Sequence, residues 1–303
     1  MAASSGIKVN NKIRQTKGDI IFTSFNYVML TIFTFICMFP FVNTFASAFS
    51  GNHAIQTGSV ILWPVDFQLD AMKAVLRDQT IIRAMGVTIY VTVLGTTLNM
   101  IFTILTAYPL SRTDFKGRKY FMNYMIFTMM FSGGMIPGYL LIKELGMLNS
   151  LWALMIPGIM SAFNVIIMKT FFQNMPEELR EAAIVDGCGN VRYLLRIVLP
   201  LSSAVLATVG LFYAVNHWNS YMSAVIYIDS ADLYTLQVKL RNILLLAQME
   251  TSLETLQTEV QLNVIEESLK AATVVVGTVP ILVVYPFLQK YFVKGAMLGS
   301  VKG

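Results

Sequence analysis

The chain has 303 residues, of which 55% are hydrophobic and only 13% are charged. Soluble domains average about 25% charged residues, so this composition, with a mean hydropathy of +0.62, excludes an ordinary soluble protein and indicates a membrane protein. The net charge of +5 is too small to indicate a nucleic-acid partner. The two cysteines, Cys37 and Cys188, predict free thiols and no disulfide framework.

Six apolar stretches are long enough to cross a bilayer, whose core of about 30 Å needs roughly 20 residues of helix. They predict an all-α, polytopic membrane protein with six transmembrane helices. The spans lie near residues 20–48, 84–110, 120–142, 151–173, 201–222 and 271–289. The first is too long for the h-region of a cleaved signal peptide, which has about 7–15 apolar residues. This gives an N-terminal segment over 1–19, one transmembrane domain over 20–294 and a tail over 295–303.

The basic residues predict the orientation, since Lys and Arg accumulate in short cytoplasmic loops. Placing the N-terminus in the cytoplasm puts most of them on that side, including Lys8, Lys12, Arg14 and Lys17. Six spans then return the C-terminus to the same side.

The third span contains Gly133, Gly134 and Pro137. Pro137 removes a helix hydrogen bond, and in lipid the freed carbonyl needs a partner from a neighbouring helix or a water-lined path. The pattern fits either a kinked helix that packs closely or a hinge in a gate.

The external loop over 223–270 contains leucines at helical spacing, such as Leu236 and Leu240. Lys239 and Arg241 argue against a seventh span, so we predict an amphipathic surface helix followed by an acidic stretch. This segment either caps the outer face or contacts a soluble partner or the entering solute.

The cytoplasmic loop over 174–200 predicts two short helices. Asn174 is placed to cap the first and Asn190 the second. Gly187 ends the first helix, and Pro200 turns the chain into the fifth span.

The loop contains the run Glu181-Ala182-Ala183, then Gly187 after three further residues, and then Ile197, Leu199 and Pro200. In residue type, spacing and place before the fifth span, this run resembles the EAA motif of membrane-spanning permease subunits of ABC importers. In such importers the motif contacts an ATPase subunit. The resemblance implies a coupling role for Glu181, Ala182, Ala183, Asp186, Gly187, Ile197, Leu199 and Pro200.

Two further segments, 108–112 and 212–220, are similar to the carbohydrate branch of these permeases, exemplified by the smaller maltose permease subunit. The sequence around the fifth span looks closest to permeases for alginate or pectin fragments. Ser203 and Ala204 stand where many relatives have a proline, which predicts a straighter start of this span.

The family implies that the chain forms a carbohydrate path in the bacterial cytoplasmic (inner) membrane. The implied partners are a second homologous permease subunit, two ABC ATPase subunits, an extracytoplasmic solute-binding protein, the lipid bilayer and an oligosaccharide substrate. No phosphate-loop motif occurs in the sequence. We therefore expect no cofactor on this chain, with ATP and Mg bound by the ATPase.

The resemblance also implies individual roles. Glu181 is expected to anchor the ATPase, Ala182 and Ala183 to pack in its cleft, and Gly187 to form the turn. Ala183→Trp or Gly187→Val should then leave the subunit inserted but uncoupled. The alternative is that the motif merely folds a stable loop, in which case these changes lower the protein level.

Polar and aromatic residues at the outer half of the fifth span predict a lining of the solute path, because sugars bind through hydrogen bonds and aromatic stacking. These residues are Asn216, Trp218, Asn219 and Tyr221. Interfacial aromatics and interhelical hydrogen bonds explain them equally well. His217 and His53 lie in separate segments and predict no metal site.

Catalytic motifs are lacking, so we expect a transport subunit and no enzyme. The alternative function is an ion-coupled secondary transporter or channel. Such proteins usually carry Asp or Glu within a span, and none lies in the interior of the six predicted spans.

Overall fold

A computed structural model describes residues 16–254 and 266–300. Most of the predicted segment 1–19, residues 255–265 of the external loop and residues 301–303 of the tail lie outside this part. The described residues form helices, with one isolated bridge between Ser50 and Phe67 and no strand. The helices are α1 (Lys17–Ala48), α2 (Asn52–Gln56), α3 (Asp70–Arg77), α4 (Gln79–Ser111), α5 (Arg118–Met130), α6 (Met135–Glu144), α7 (Trp152–Met155), α8 (Ala162–Gln173), α9 (Glu178–Val185), α10 (Asn190–Tyr193), α11 (Leu199–Leu201), α12 (Ser203–Trp218), α13 (Met222–Tyr227), α14 (Leu236–Glu254) and α15 (Glu266–Ser300). A π-helical turn, Leu194–Val198, joins α10 to α11, and a 3₁₀ turn, Ala231–Leu233, precedes α14.

Within the described ranges, three helices are long and apolar enough to cross a membrane: α1, α4 and the part Glu267–Val284 of α15. Two bent pairs raise the number to five if each pair is one span. These are α5 with α6, bent by 115°, and Asn190–Leu201 with α12, bent by 84°. The predicted class of helical membrane protein is confirmed, whereas six spans remain a prediction.

The predicted fourth span is two helices, α7 and α8, separated by residues 156–161. The 12 residues of α8 give a length of only about 18 Å, well short of a bilayer core. Contacts that maintain this break are part of the site described below.

The predicted third span is broken between α5 and α6, and Gly134 determines where the break lies. Gly134 adopts φ +86° at the start of α6, a conformation that residues with a side chain rarely adopt. Pro137 is the third residue of α6, where a missing N–H removes no helix bond. The segment is therefore two helices and not one kinked helix.

The 84° bend before α12 falls at Ser202, two residues after Pro200. The predicted turn by Pro200 agrees with this position, and the predicted straighter start of the fifth span is wrong. The Ser202 hydroxyl donates to the Val198 carbonyl at 2.6 Å. The side chain thus satisfies a backbone group beside the bend.

Helix α4 is the centre of the fold and packs against α12, α8 and α14. Its 33 residues span about 50 Å. One buried cluster surrounds its C-terminal end, and includes Tyr108, Met168, Tyr193 and Tyr213. The apolar side chains of α1 are largely exposed, as expected for a helix in contact with lipid or another subunit.

Candidate coupling loop and solute cleft

Helix α9 of the EAA loop lies beside the C-terminal end of α4. Ala183 is 5% exposed and belongs to the same buried cluster as Tyr108 and Tyr193. Ile197 and Leu199 are half-buried against this cluster. Apolar contacts within the chain therefore fix one face of the loop.

The opposite face of the loop is open. Its exposed members are Glu181, Ala182, Asp186, Gly187 and Pro200. Leu179, Ile184 and Val185 are exposed as well, Val185 at 86%. An exposed apolar patch on an amphipathic helix is typical of a protein-binding surface. The prediction that Ala183 packs in the cleft of a partner is corrected, because its methyl group is covered by this chain.

Gly187 ends α9 as predicted. Its φ is +72°, and the Cys188 N–H donates to the Ala183 carbonyl at 2.8 Å. The predicted caps are wrong, however. Asn174 follows the last residue of α8, while Asn190 is the first residue of α10 and Gly189 precedes it.

Two arginines connect the loop to α4. Arg180 Nη2 donates to Asp114 Oδ2 at 2.7 Å, and Arg180 Nη1 donates to Glu177 Oε1 at 3.0 Å. The guanidinium of Arg112 lies 4.8 Å from the Tyr108 ring centre and 5.1 Å from that of Tyr193. These contacts hold the segment after α4 against the EAA loop.

The hydrogen bond from Arg180 lowers the pKa of Asp114, and the same bond raises the pKa of Arg180. Because the carboxylate pKa is lowered in the folded state, the stabilising contribution is complete above the unfolded value of about 3.9 and is lost as the pH falls through the lowered value. The ion pair is therefore intact at neutral pH.

We expect Arg180→Gln to loosen α9 at pH 7 without lowering the amount of protein. Surface ion pairs contribute at most about 1 kcal/mol, so amide hydrogen exchange in residues 178–185 should rise about two- to fivefold. Arg83→Gln is the matched control, since it removes the ion pair with Asp232 near the other end of α4. Equal exchange in 178–185 for both variants would contradict the role of Arg180.

Buried polar contacts stabilise the break between α7 and α8. Asn99 Nδ2 donates to the Gly158 carbonyl at 2.7 Å, and the Ser161 N–H donates to Tyr213 Oη at 3.0 Å. Asn99 Oδ1 lies 2.7 Å from His217 Nε2. Non-helical backbone at membrane depth persists only where protein or a water-filled cavity satisfies it, and α4 and α12 supply these partners.

A cleft of about 590 Å³ opens beside this break. Polar side chains from α4, α8, α12 and α13 line it, including Asn99, Asn164, Asn216, His217 and Ser223. A cavity lined by neutral polar groups at a helix break suits the hydroxyl groups of a solute.

The predicted solute-path residues do not form one site. Asn216 lines this cleft, whereas Asn219 and Tyr221 line a second pocket of about 430 Å³. Trp218 is 8% exposed, and its indole N–H donates to the Gly277 carbonyl at 3.3 Å. Trp218 is therefore a packing residue between α12 and α15, and its predicted place in the lining is wrong.

Sequence reasoning assigned no role to Asn99, Arg112, Asp114 and Tyr213, although Arg112 and Tyr213 lie in the two segments that resemble the carbohydrate branch. Most of their partners lie far along the chain, where no local pattern identifies them. The contact of Arg112 with Tyr108 is the exception, since it joins residues four positions apart. The polar character of Asn99 within an apolar helix was the one available signal.

No protein-family model matches the chain. One relative is the polygalacturonan/rhamnogalacturonan transport system permease protein YtcP of Bacillus subtilis. The two sequences are 43% identical over 284 aligned residues, and the alignment covers 93% of this chain and 99% of that protein. The LplC protein of Bacillus subtilis is also 43% identical, over 96% of this chain and 98% of its own. A solved bacterial ABC transporter involved in the import of the acidic polysaccharide alginate contains a chain with a TM-score of 0.83 and 32% identity, over 92% of this chain and 99% of that chain.

The chain belongs to the permease subunits of ABC sugar importers. The predicted resemblance to ABC importer permeases is thus confirmed, and so is the closer similarity to alginate and pectin-fragment permeases that the sequence around the fifth span indicated. An ion-coupled secondary transporter or channel is not favoured by these relatives. In this ABC sugar permease, the EAA loop and the cleft at the helix break are the two candidate functional regions.

Proposed function

We propose that the chain pairs with a second, homologous permease to form the path of an acidic oligosaccharide across the bacterial cytoplasmic membrane. Two separate ATPase subunits bind ATP and Mg and drive the transport, and an extracytoplasmic binding protein delivers the solute. The observation that carries the proposal is similarity over nearly the whole chain to importers whose named solutes, polygalacturonan and alginate, are acidic polysaccharides. The proposal includes six membrane spans, with both termini of the chain in the cytoplasm.

The exposed face of α9 supports a coupling role. Glu181, Ala182, Asp186 and Gly187 contact the ATPase in this proposal, while Ala183, Ile197 and Leu199 hold the loop to α4 and Pro200 turns it toward α12. Coupling requires contacts whose strength differs between two states of the importer. The anchored inner face lets a displacement of α9 reach α4 and α12.

The neutral lining of the cleft supports transport that is driven by ATP hydrolysis on a separate subunit. No Asp or Glu lines it within the described part of the chain. Proton- or sodium-coupled transport usually places a carboxylate in such a position. Asn216 is proposed to contact sugar hydroxyls there, and Asn219 and Tyr221 to contact the solute from the second pocket.

Transport by the reconstituted importer tests this function. The chain, its paired permease, the ATPases and the binding protein are incorporated into liposomes, and ATP hydrolysis and uptake are measured with oligogalacturonate or malto-oligosaccharide. We expect ATP-dependent uptake of the acidic sugar only. Uptake driven by a proton gradient without ATP would support a secondary transporter, and preference for the neutral sugar would contradict the acidic substrate.

A further inference from the structure

The pocket that contains Asn219 and Tyr221 lies between the α12–α13 turn, α14 and α15. Its volume of about 430 Å³ is large enough for a sugar residue. Gln237 and Arg241 enter from α14, and Thr273 from α15. The pocket thus combines an aromatic ring, two amides and a cation with apolar side chains such as Leu240 and Leu244.

Two of these groups have no partner among the described residues. Arg241 is exposed and forms no ion pair within the described residues. Thr273 is fully buried, and its hydroxyl has no hydrogen-bond partner in the described part of the chain. A buried hydroxyl without a partner costs free energy, but this one is closed off from the pocket, so the polar groups open to a ligand are those of Asn219, Gln237 and Arg241.

We propose that this pocket binds a uronic acid residue of the solute, with Arg241 as the partner of its carboxylate. The inference rests on the proposed function. Arginine presents parallel N–H donors that match the two oxygens of a carboxylate. Tyr221 stacks on the sugar ring, while Gln237 and Asn219 bind its hydroxyls.

The rest of the outer surface provides a matched control. Lys239 is a second cation on α14, two residues from Arg241, and its Nζ lies 5.7 Å from the ring centre of Tyr234. Lys239 does not line the pocket. A general attraction of acidic solutes by positive charge would involve both residues, whereas recognition in the pocket needs only Arg241.

The test compares wild type, Arg241→Gln, Arg241→Lys and Lys239→Gln in the reconstituted importer. The probes are trigalacturonate and its methyl ester, which lacks the negative charges. We expect Arg241→Gln to raise the apparent KM for trigalacturonate about tenfold or more, as loss of a charge-assisted hydrogen bond does. Arg241→Lys should show a smaller increase, and Lys239→Gln should match wild type. Uptake of the ester should be the same in every variant.

The outcomes separate the inference from the proposed function. Wild-type importer that fails to transport trigalacturonate overturns the acidic substrate itself. Normal transport of trigalacturonate by Arg241→Gln overturns the role of this pocket alone. An equal loss for acid and ester in Arg241→Gln also overturns it, since that result assigns Arg241 to structure or lipid contact.

Discussion

Ala182→Trp is expected to reduce ATP-driven uptake about 30-fold or more, as loss of a central interface contact of 2 kcal/mol or more does. Ala182 is exposed on α9 and belongs to none of the buried clusters in the described part of the chain. The indole would therefore obstruct a docked ATPase without disturbing the fold. Uptake by proteoliposomes and immunoblotting of the membrane fraction measure the two effects separately.

Position 182 isolates coupling better than the neighbouring positions do. Ala183→Trp would force a large ring into a buried cluster, so we expect less protein and not merely uncoupling. Gly187→Val places a β-branched residue at φ +72°, which strains the turn itself.

Ala231→Trp is the matched control for Ala182→Trp. Ala231 is also exposed, but it lies near the other end of α4. It adjoins Asp232, the ion-pair partner of Arg83, whereas α9 packs near Tyr108. Between Arg83 and Tyr108 lie about 38 Å of helix. We expect normal uptake by Ala231→Trp, and unchanged uptake by Ala182→Trp would refute the coupling role of α9.

Gly95→Ala is expected to destabilise the protein by about 1–3 kcal/mol, the cost of leaving a buried polar group without its partner. A Cβ at Gly95 would lie 2.6 Å from His217 Nε2. The ring must then move away from Asn99, whose other amide contact maintains the break at Gly158. Thermal unfolding in detergent measures the loss, and uptake should fall with it.

Gly86→Ala controls for the change of residue type. Gly86 lies in the same helix, and a Cβ there meets nothing within 4 Å, so we expect unchanged or slightly higher stability. In a double-mutant cycle, Gly95→Ala should cost little once His217→Ala has removed the ring. If Gly95→Ala costs as much in that background, the His217 contact is not the cause.

The sequence alone determined the class of protein, the family and the plan of the EAA loop. Apolar stretches and the low content of charged residues identify a helical membrane protein because lipid contact is a property of each segment by itself. The end of α9 at Gly187 was also predictable, since a left-handed turn is a local requirement that glycine satisfies. Fixed spacing over 20 residues carried the family resemblance without any knowledge of contacts.

Only the tertiary structure decided how these segments meet. By sequence, residues 156–161 are part of an apolar span, yet in the structure they are not helical. Asn99 on α4 and Tyr213 on α12 form hydrogen bonds to their backbone and stabilise this break. Ala183 and Trp218 turn inward, while Arg241 of α14 and Tyr221 beside α13 line one pocket. Each of these outcomes depends on partners tens of positions away, and local hydropathy and residue type do not identify such pairs.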